Sequence, residues 1–330
     1  MKPAPTHSQL TACIVAVVWT LWLIGMASWD LWGHLREGWI MSLTMAFGSF
    51  VAGATSEGGG AVAFPVMTLV LGIAPSLARD FSLCIQAIGM TAASIVIWKT
   101  RTPIVRSVLP SAIIAGAIGL MLGLELLAPR LPPPMAKLLF TSVWLAFGAS
   151  LLVAQRNPRR RSPDEPYAPN LLVIAPIALI GGAVVSVTGS GLDICLFSYL
   201  VLRGRVSESV ATPTSVMLMA SNAIVGALYR AFAMEGLPAE VWTWWWACVP
   251  VVVVGAPFGA WFIQRVRRES VVALLLASIV VQYVAAVLIL PMSPNRWLFS
   301  AGVFACGLVV FGVASLPSKS GDRGVPAPPV

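Results

Sequence analysis

The run from Val271 to Leu290 contains almost nothing polar, and runs of similar length recur along the whole chain. Roughly 20 apolar residues is the length a helix needs to cross the hydrocarbon core of a bilayer. Inside that core every backbone N–H and C=O must find a partner within the protein, so only helices and closed barrels span it. Barrel strands alternate polar and apolar residues over roughly 10 positions, and these runs do not alternate. The chain is therefore expected to be all-α, a polytopic transmembrane helical bundle. Composition points the same way: of 330 residues, 58% are hydrophobic and 10% charged, more apolar surface than one water-soluble domain can bury.

The formal net charge of +8 does not mark a nucleic-acid partner, because the basic residues form no single patch with interleaved aromatics. They sit in short loops between apolar runs, the pattern of a topology signal. Cys13, Cys84, Cys195, Cys248 and Cys306 lie in or beside apolar segments without close pairing, which argues against a disulfide framework or a zinc site. No metal and no cofactor is expected, and the sequence assigns no oligomeric state.

The first run, Leu10 to Trp29, is long for a signal-peptide core and is read as a retained helix. Trp19, Trp22, Trp29, Trp32 and Trp39 are read as its interfacial anchors. Single spans follow at Arg79–Trp98, Arg106–Ala128, Met135–Ala154, Glu208–Tyr229, Val241–Ile263, Val271–Leu290 and Trp297–Val313. Trp39–Ile73 and Asn170–Leu202 are different: each would make about 50 Å of helix against a core of roughly 30 Å. Ser56-Glu57-Gly58-Gly59-Gly60 interrupts the first and Thr188-Gly189-Ser190-Gly191 the second. Glycine runs carry a large helix penalty, so each segment is expected to enter the membrane, break and return.

With both segments as hairpins, the clusters Arg156 with Arg159 to Arg161, Lys99 with Arg101 and Arg106, Arg203 with Arg205, and Arg265 with Arg267 and Arg268 share one side. That side is taken as cytoplasmic; Arg79, Arg130 and Lys137 fall outside. The hairpins then enter from opposite leaflets, so the halves are expected to be inverted repeats, each beginning with a glycine-broken helical hairpin. The spacing from Gly59 to Ser82 equals that from Gly191 to Thr214, and Gly72 matches Gly204 at the same offset. Gly119 and Gly123 are likewise answered by Gly255 and Gly259, each a G-x-x-x-G that permits close helix packing. The chain divides into an N-terminal tail and extra helix (1–38), a first repeat (39–154), a cytoplasmic linker (155–169), a second repeat (170–290), a last helix (291–314) and a tail (315–330). The linker and tail, proline-rich and charged, are expected to be flexible.

Paired broken helices in inverted repeats are a recurrent plan of secondary transporters, and the breaks point to the substrate site. A helix restarted inside the membrane presents backbone N–H groups and the positive end of its dipole, a setting for an anion. The expected substrate ligands are Thr55, Ser56, Gly58, Gly59 and Gly60 from the first break and Thr188, Gly189, Ser190 and Gly191 from the second. Gln86 and Asn222, on the helices after the hairpins, are the side chains expected to face the ligand; interhelical bonding is the equal alternative. Glu57 and Asp193 are carboxylates beside the restarts, and either could simply cap its helix. The hypothesis for Glu57, and with less weight for Asp193, is that desolvation favours the protonated form, so that anion movement is coupled to protons.

At these residues the chain resembles the TauE/SafE family of sulfite exporters, also known as the four-toluene sulfonate uptake permease family. The matching elements are Ala52-Gly53 through Glu57-Gly58-Gly59-Gly60 to Phe64-Pro65, then Ala78-Arg79, and the weaker break around Gly189 to Gly191. The resemblance covers most of the chain from about Trp39 onward. It implies a multi-pass protein of the bacterial inner membrane that exports sulfite or a small organosulfur anion. An anion channel, or a carrier of a small carboxylate, is the alternative. Glu57, Asp193 and the leading helix depart from the family pattern and leave the anion open.

A hydrolase using Ser190 is a remote alternative, since a serine nucleophile needs a base and the histidines, His7 and His34, lie outside the spans. No G-x-x-x-x-G-K-[ST] is present for ATP-driven pumping.

Overall fold

The computed structural model describes residues 7–54, 59–155, 170–263 and 268–313, and every regular element among them is helical. The order is α1 (His7–Ser28), α2 (Gly33–Glu37), α3 (Trp39–Ala54), α4 (Gly60–Pro65), α5 (Pro75–Lys99), α6 (Leu109–Leu122), α7 (Pro133–Gln155), α8 (Leu171–Thr188), α9 (Leu192–Ser198), α10 (Glu208–Leu228), α11 (Ala239–Ile263), α12 (Arg268–Ile289) and α13 (Pro294–Val313). π-helical turns extend α4 (Val66–Val70), α6 (Gly123–Leu127), α9 (Tyr199–Arg203) and α10 (Tyr229–Ala233). Eight helices among the described residues are long and apolar enough to cross a membrane. The outside of the bundle is itself apolar: Leu172, Phe232 and Leu288 are 85%, 83% and 78% exposed. Water would not tolerate such a surface, whereas lipid matches it.

The second long segment breaks at its glycines, and the first forms two separate helices, the residues 55–58 between them lying outside the described ones. α3 ends at Ala54 and α4 restarts at Gly60, while α8 ends on Gly189 in the left-handed region (φ 74°) and α9 restarts after Gly191 (φ 124°). α8 reaches further than a half-helix: its end lies against Arg79 and Ser82 of α5.

The two halves make matching contacts. α11 packs on α3 as α6 packs on α8, and α5 packs on α10 between them. After each returning arm, Leu71 N–H donates to Val66 O and Ile73 N–H to Met67 O; in the second half Gly204 N–H donates to Tyr199 O and Val206 N–H to Leu200 O. This geometry corrects one detail of the glycine spacing. Gly72 (φ 67°) corresponds to Arg205 (φ 51°), not to Gly204 (φ −71°), so the structural register is one residue longer than the glycine match.

Three of the four G-x-x-x-G glycines, Gly119, Gly123 and Gly255, lie at close helix contacts. A Cβ on Gly119 would strike the Leu179 carbonyl of α8, and one on Gly123 the Ser186 hydroxyl; on α11, a Cβ on Gly255 would strike Ser49 of α3. Gly182 of α8 abuts the Gly116 carbonyl of α6 in the same way. Backbones this close leave no room for side chains, so packing contact replaces hydrophobic burial as the adhesive.

The leading helix α1 packs on α11. Trp29, Trp32 and Trp39 are exposed, as an interfacial belt requires, but Trp22 is buried and its indole N–H donates to Trp246 O at 2.8 Å. Pro250, four residues on, has no N–H to offer that carbonyl, and the indole takes its place. Two of the three cations counted outside bind main-chain carbonyls: Lys137 Nζ donates to Thr68 O and Arg130 Nη1 to Leu126 O, both at 2.6 Å, each near the C-terminal end of a helix, where a cation is favoured. Most of the linker 155–169 and all of the tail 315–330 lie outside the described residues.

Candidate anion site where two helix breaks meet

Gly60, the first residue of α4, is the point at which the two hairpins touch. A Cβ placed there would lie 2.8 Å from Ser190 Cβ, 3.2 Å from Ser190 Oγ and 3.0 Å from Gln86 Nε2. Glycine is required at this position because the opposite break and the α5 side chain occupy its side-chain volume. Gln86 holds the junction: its Nε2 donates to Gly189 O at 2.7 Å and to Ser82 O at 3.0 Å. Gly189 in turn rests against Arg79 and Ser82 of α5, and a Cβ there would meet the Arg79 carbonyl at 2.7 Å.

Several polar atoms around the junction are buried and have no protein partner: the Ser82 and Ser190 hydroxyls, Gln86 Oε1, Asp193 Oδ2 and the Trp144 indole N–H. Trp144 contacts the second break at Gly191 (3.4 Å) and stacks on Phe140, which stacks on Phe64 of the first hairpin. Unpartnered buried polar groups are destabilising in a finished core. Those five belong to residues at or beside the two breaks and comprise hydroxyl and indole donors together with carbonyl and carboxylate acceptors.

The second break differs from the expected set of bare amides. Asp193 Oδ1 already accepts from Gly191 N–H (3.1 Å) and Ile194 N–H (3.0 Å), so the chain's own carboxylate occupies the restarted helix. Thr188 Oγ1 is engaged within the turn, donating to Ser190 O at 2.6 Å, and Ser190 N–H reaches back to it at 3.4 Å. Two of the main-chain donors of this break, Ser190 N–H and Gly191 N–H, are thus engaged within it. Gly59 packs toward Met45 of α3. Thr55, Ser56, Glu57 and Gly58 lie outside the described residues.

Asn222 sits at the α10–α6 crossing, away from the Gly60 contact. Its amide fills the space at Gly116 beside Leu192, its Nδ2 donates to Leu218 O at 3.2 Å, and its Oδ1 is unpartnered. Gln86 and Asn222 thus flank the start of α9 from two helices and are not joined by a hydrogen bond.

One cluster was missed by the sequence reading. Asp80 of α5 is buried between two arginines: Arg79 Nε donates to Oδ1 at 2.8 Å, while Arg230 Nε and Nη2 fork onto both oxygens at 3.0–3.2 Å. Ionisable residues within spans face the protein interior by default, and that signal was available for Asp80, inside the Arg79–Trp98 span; Arg79 stood at its edge and Arg230 one residue past the Glu208–Tyr229 span. Their pairing, across 150 positions for Arg230 and Asp80, was not signalled.

These features define a class: a polytopic helical membrane protein whose two broken hairpins enclose a buried polar site. The family model described as sulfite exporter TauE/SafE matches residues 40–285, and the chain belongs to that family of membrane transporters. No curated protein and no solved structure matches it.

Proposed function

We propose that the protein is a secondary transporter that exports sulfite or a small organosulfur anion across the bacterial inner membrane, with its two halves inverted and the substrate held at the Gly60–Ser190–Gln86 junction. The observation that carries this reading is the contact between the breaks among unpartnered polar atoms. Family membership supports the anion class. Ser82, Ser190 and Trp144 would donate to anion oxygens. Gln86 Oε1 and Asp193 Oδ2 are acceptors, and they suit an anion that travels with a proton, either its own or one held by Asp193.

Burial favours a carrier over a channel. Ser190 and Asp193 are fully buried and Gln86 nearly so, as in an occluded state of an alternating-access cycle. In proteoliposomes containing the full chain, sulfite, sulfonates, sulfate and carboxylates should be tested with and without a proton gradient. Saturable sulfite or sulfonate flux with counterflow exchange supports the reading. Flux that is confined to carboxylates, or lacks counterflow, defeats it.

A further inference from the structure

The Arg79–Asp80–Arg230 cluster carries more positive charge than a clamp requires. Arg79, Asp80 and Arg230 are 7%, 1% and 9% exposed, so among the described residues two guanidiniums surround one carboxylate and leave an unbalanced cation in a buried setting. An ion pair meant only to tie helices together would be better with one cation, because every extra buried charge adds a desolvation penalty. The donors are also in excess. Arg230 Nη1 has only the thioether of Met234 at 3.5 Å, and Arg79 Nη1 only a long contact, 3.3 Å, to Ser186 O. Thioether sulfur is a weak acceptor. Glu125, which accepts from Tyr229 at 2.9 Å beside Arg230, is exposed and does not balance the cluster.

The location of the cluster gives the surplus a use. Asp80 lies on α5 about 9 Å along the axis from Gln86, with Ser82 between them, and Arg79 backbone forms the surface on which Gly189 rests. Arg79 ties α5 to the end of α8, and Arg230 ties α5 to the end of α10 and to Gly236 O in the following loop at 3.3 Å. The cluster therefore sits between the junction and the side opposite Lys99, Arg101 and Arg106, the side assigned as external.

We infer that Arg79 and Arg230 form a second anion-binding station at the external mouth, closed by the chain's own Asp80 carboxylate, which a sulfite or sulfonate group displaces in passing. Guanidinium forks match the oxygens of such anions as they match a carboxylate. Displacing Asp80 would release the ties between α5 and α10, so arrival of the anion and opening of the mouth become one event. The inference rests on the transport reading above.

The test measures the half-saturating concentration of radiolabelled sulfite at each face, using right-side-out and everted vesicles that contain the full chain. Asp80→Asn removes the competing carboxylate and is expected to lower the external value by about threefold to tenfold, while Arg230→Gln raises it by about tenfold or more. The value at the internal face should move by less than about twofold in both. Opposite shifts from the two partners of one ion pair are the signature; a structural clamp would move both the same way. Shifts in the same direction, or equal shifts at both faces, overturn the inference. If neither variant gives folded protein by detergent chromatography, Arg230→Lys, which keeps the charge and loses the fork, decides it: an unchanged external value overturns the station. Absence of saturable sulfite flux in the wild type defeats the transport reading, whereas wild-type flux without opposite shifts defeats only the station.

Discussion

Gln86 uses both amide hydrogens on main-chain carbonyls, Ser82 O and Gly189 O, and keeps its own carbonyl turned toward the junction. Gln86→Leu leaves the Gly189 carbonyl buried and unpaired, a loss of about 1–3 kcal/mol. Sulfite flux per folded protein in proteoliposomes is expected to fall by about tenfold or more. Asp193 permits a finer separation. In Asp193→Asn the side-chain oxygen can still accept from Gly191 and Ile194, so the break is kept while the proton carrier is lost. Flux should persist but lose its response to an imposed pH gradient; an unchanged response would remove Asp193 from proton coupling. Asp193→Ala removes the acceptor as well, and its melting temperature in detergent should drop in proportion to about 1 kcal/mol of capping energy. A matching Glu57→Gln measurement would divide the coupling role between the two breaks.

At the scale of elements, glycines at helix crossings differ in what a methyl group would hit. Gly119 faces a backbone carbonyl, Leu179 O, which cannot turn away, whereas Gly255 faces the hydroxyl of Ser49, which can rotate. Gly119→Ala is therefore expected to destabilise the bundle by about 1–3 kcal/mol and Gly255→Ala by clearly less, measured as thermal melting in detergent. Equal losses would mean that the α6–α8 and α3–α11 crossings give way equally. The helices and both breaks were legible because apolar length and glycine clusters are local signals, readable without knowing what packs where. The packing of Trp22 was not: beside Trp19 and Trp29 it looks like another interfacial ring, and only the carbonyl left open by Pro250 explains its burial. The Arg79–Asp80–Arg230 cluster was hidden for a related reason, since charges counted one by one as topology markers do not reveal a partner on a distant helix. The part played by Asp193 was open in the sequence, since a carboxylate beside a restarted helix can cap it or carry a proton, and only the structure shows its Oδ1 accepting from Gly191 and Ile194.

At the scale of the molecule, the paired contacts of α3 with α11 and of α8 with α6 place each half's first arm in the grip of the other half. A shift of either hairpin would therefore disturb helices of both halves, as the proposed alternating-access cycle requires. Preloading vesicles with unlabelled sulfite is expected to accelerate entry of labelled sulfite severalfold, about threefold or more for a carrier whose empty return step is slow. No acceleration, together with flux proportional to concentration, would point to a pore.

The crossing at Asn222 has a counterpart between α5 and α11. The register that pairs Gly119 with Gly255 pairs Gly116 with Val252, and the contact of Asn222 with Gly116 is answered by that of Gly89 with Val252 at 2.8 Å. Bulk has traded places between partners: the larger residue is on α10 at one crossing and on α11 at the other. A symmetric dimer of the first half would set glycine against glycine and leave a hole at both crossings, and a dimer of the second would crowd asparagine against valine twice. At both crossings a glycine of the first half is filled by a larger residue of the second, so the fit between the halves depends on which residue each contributes.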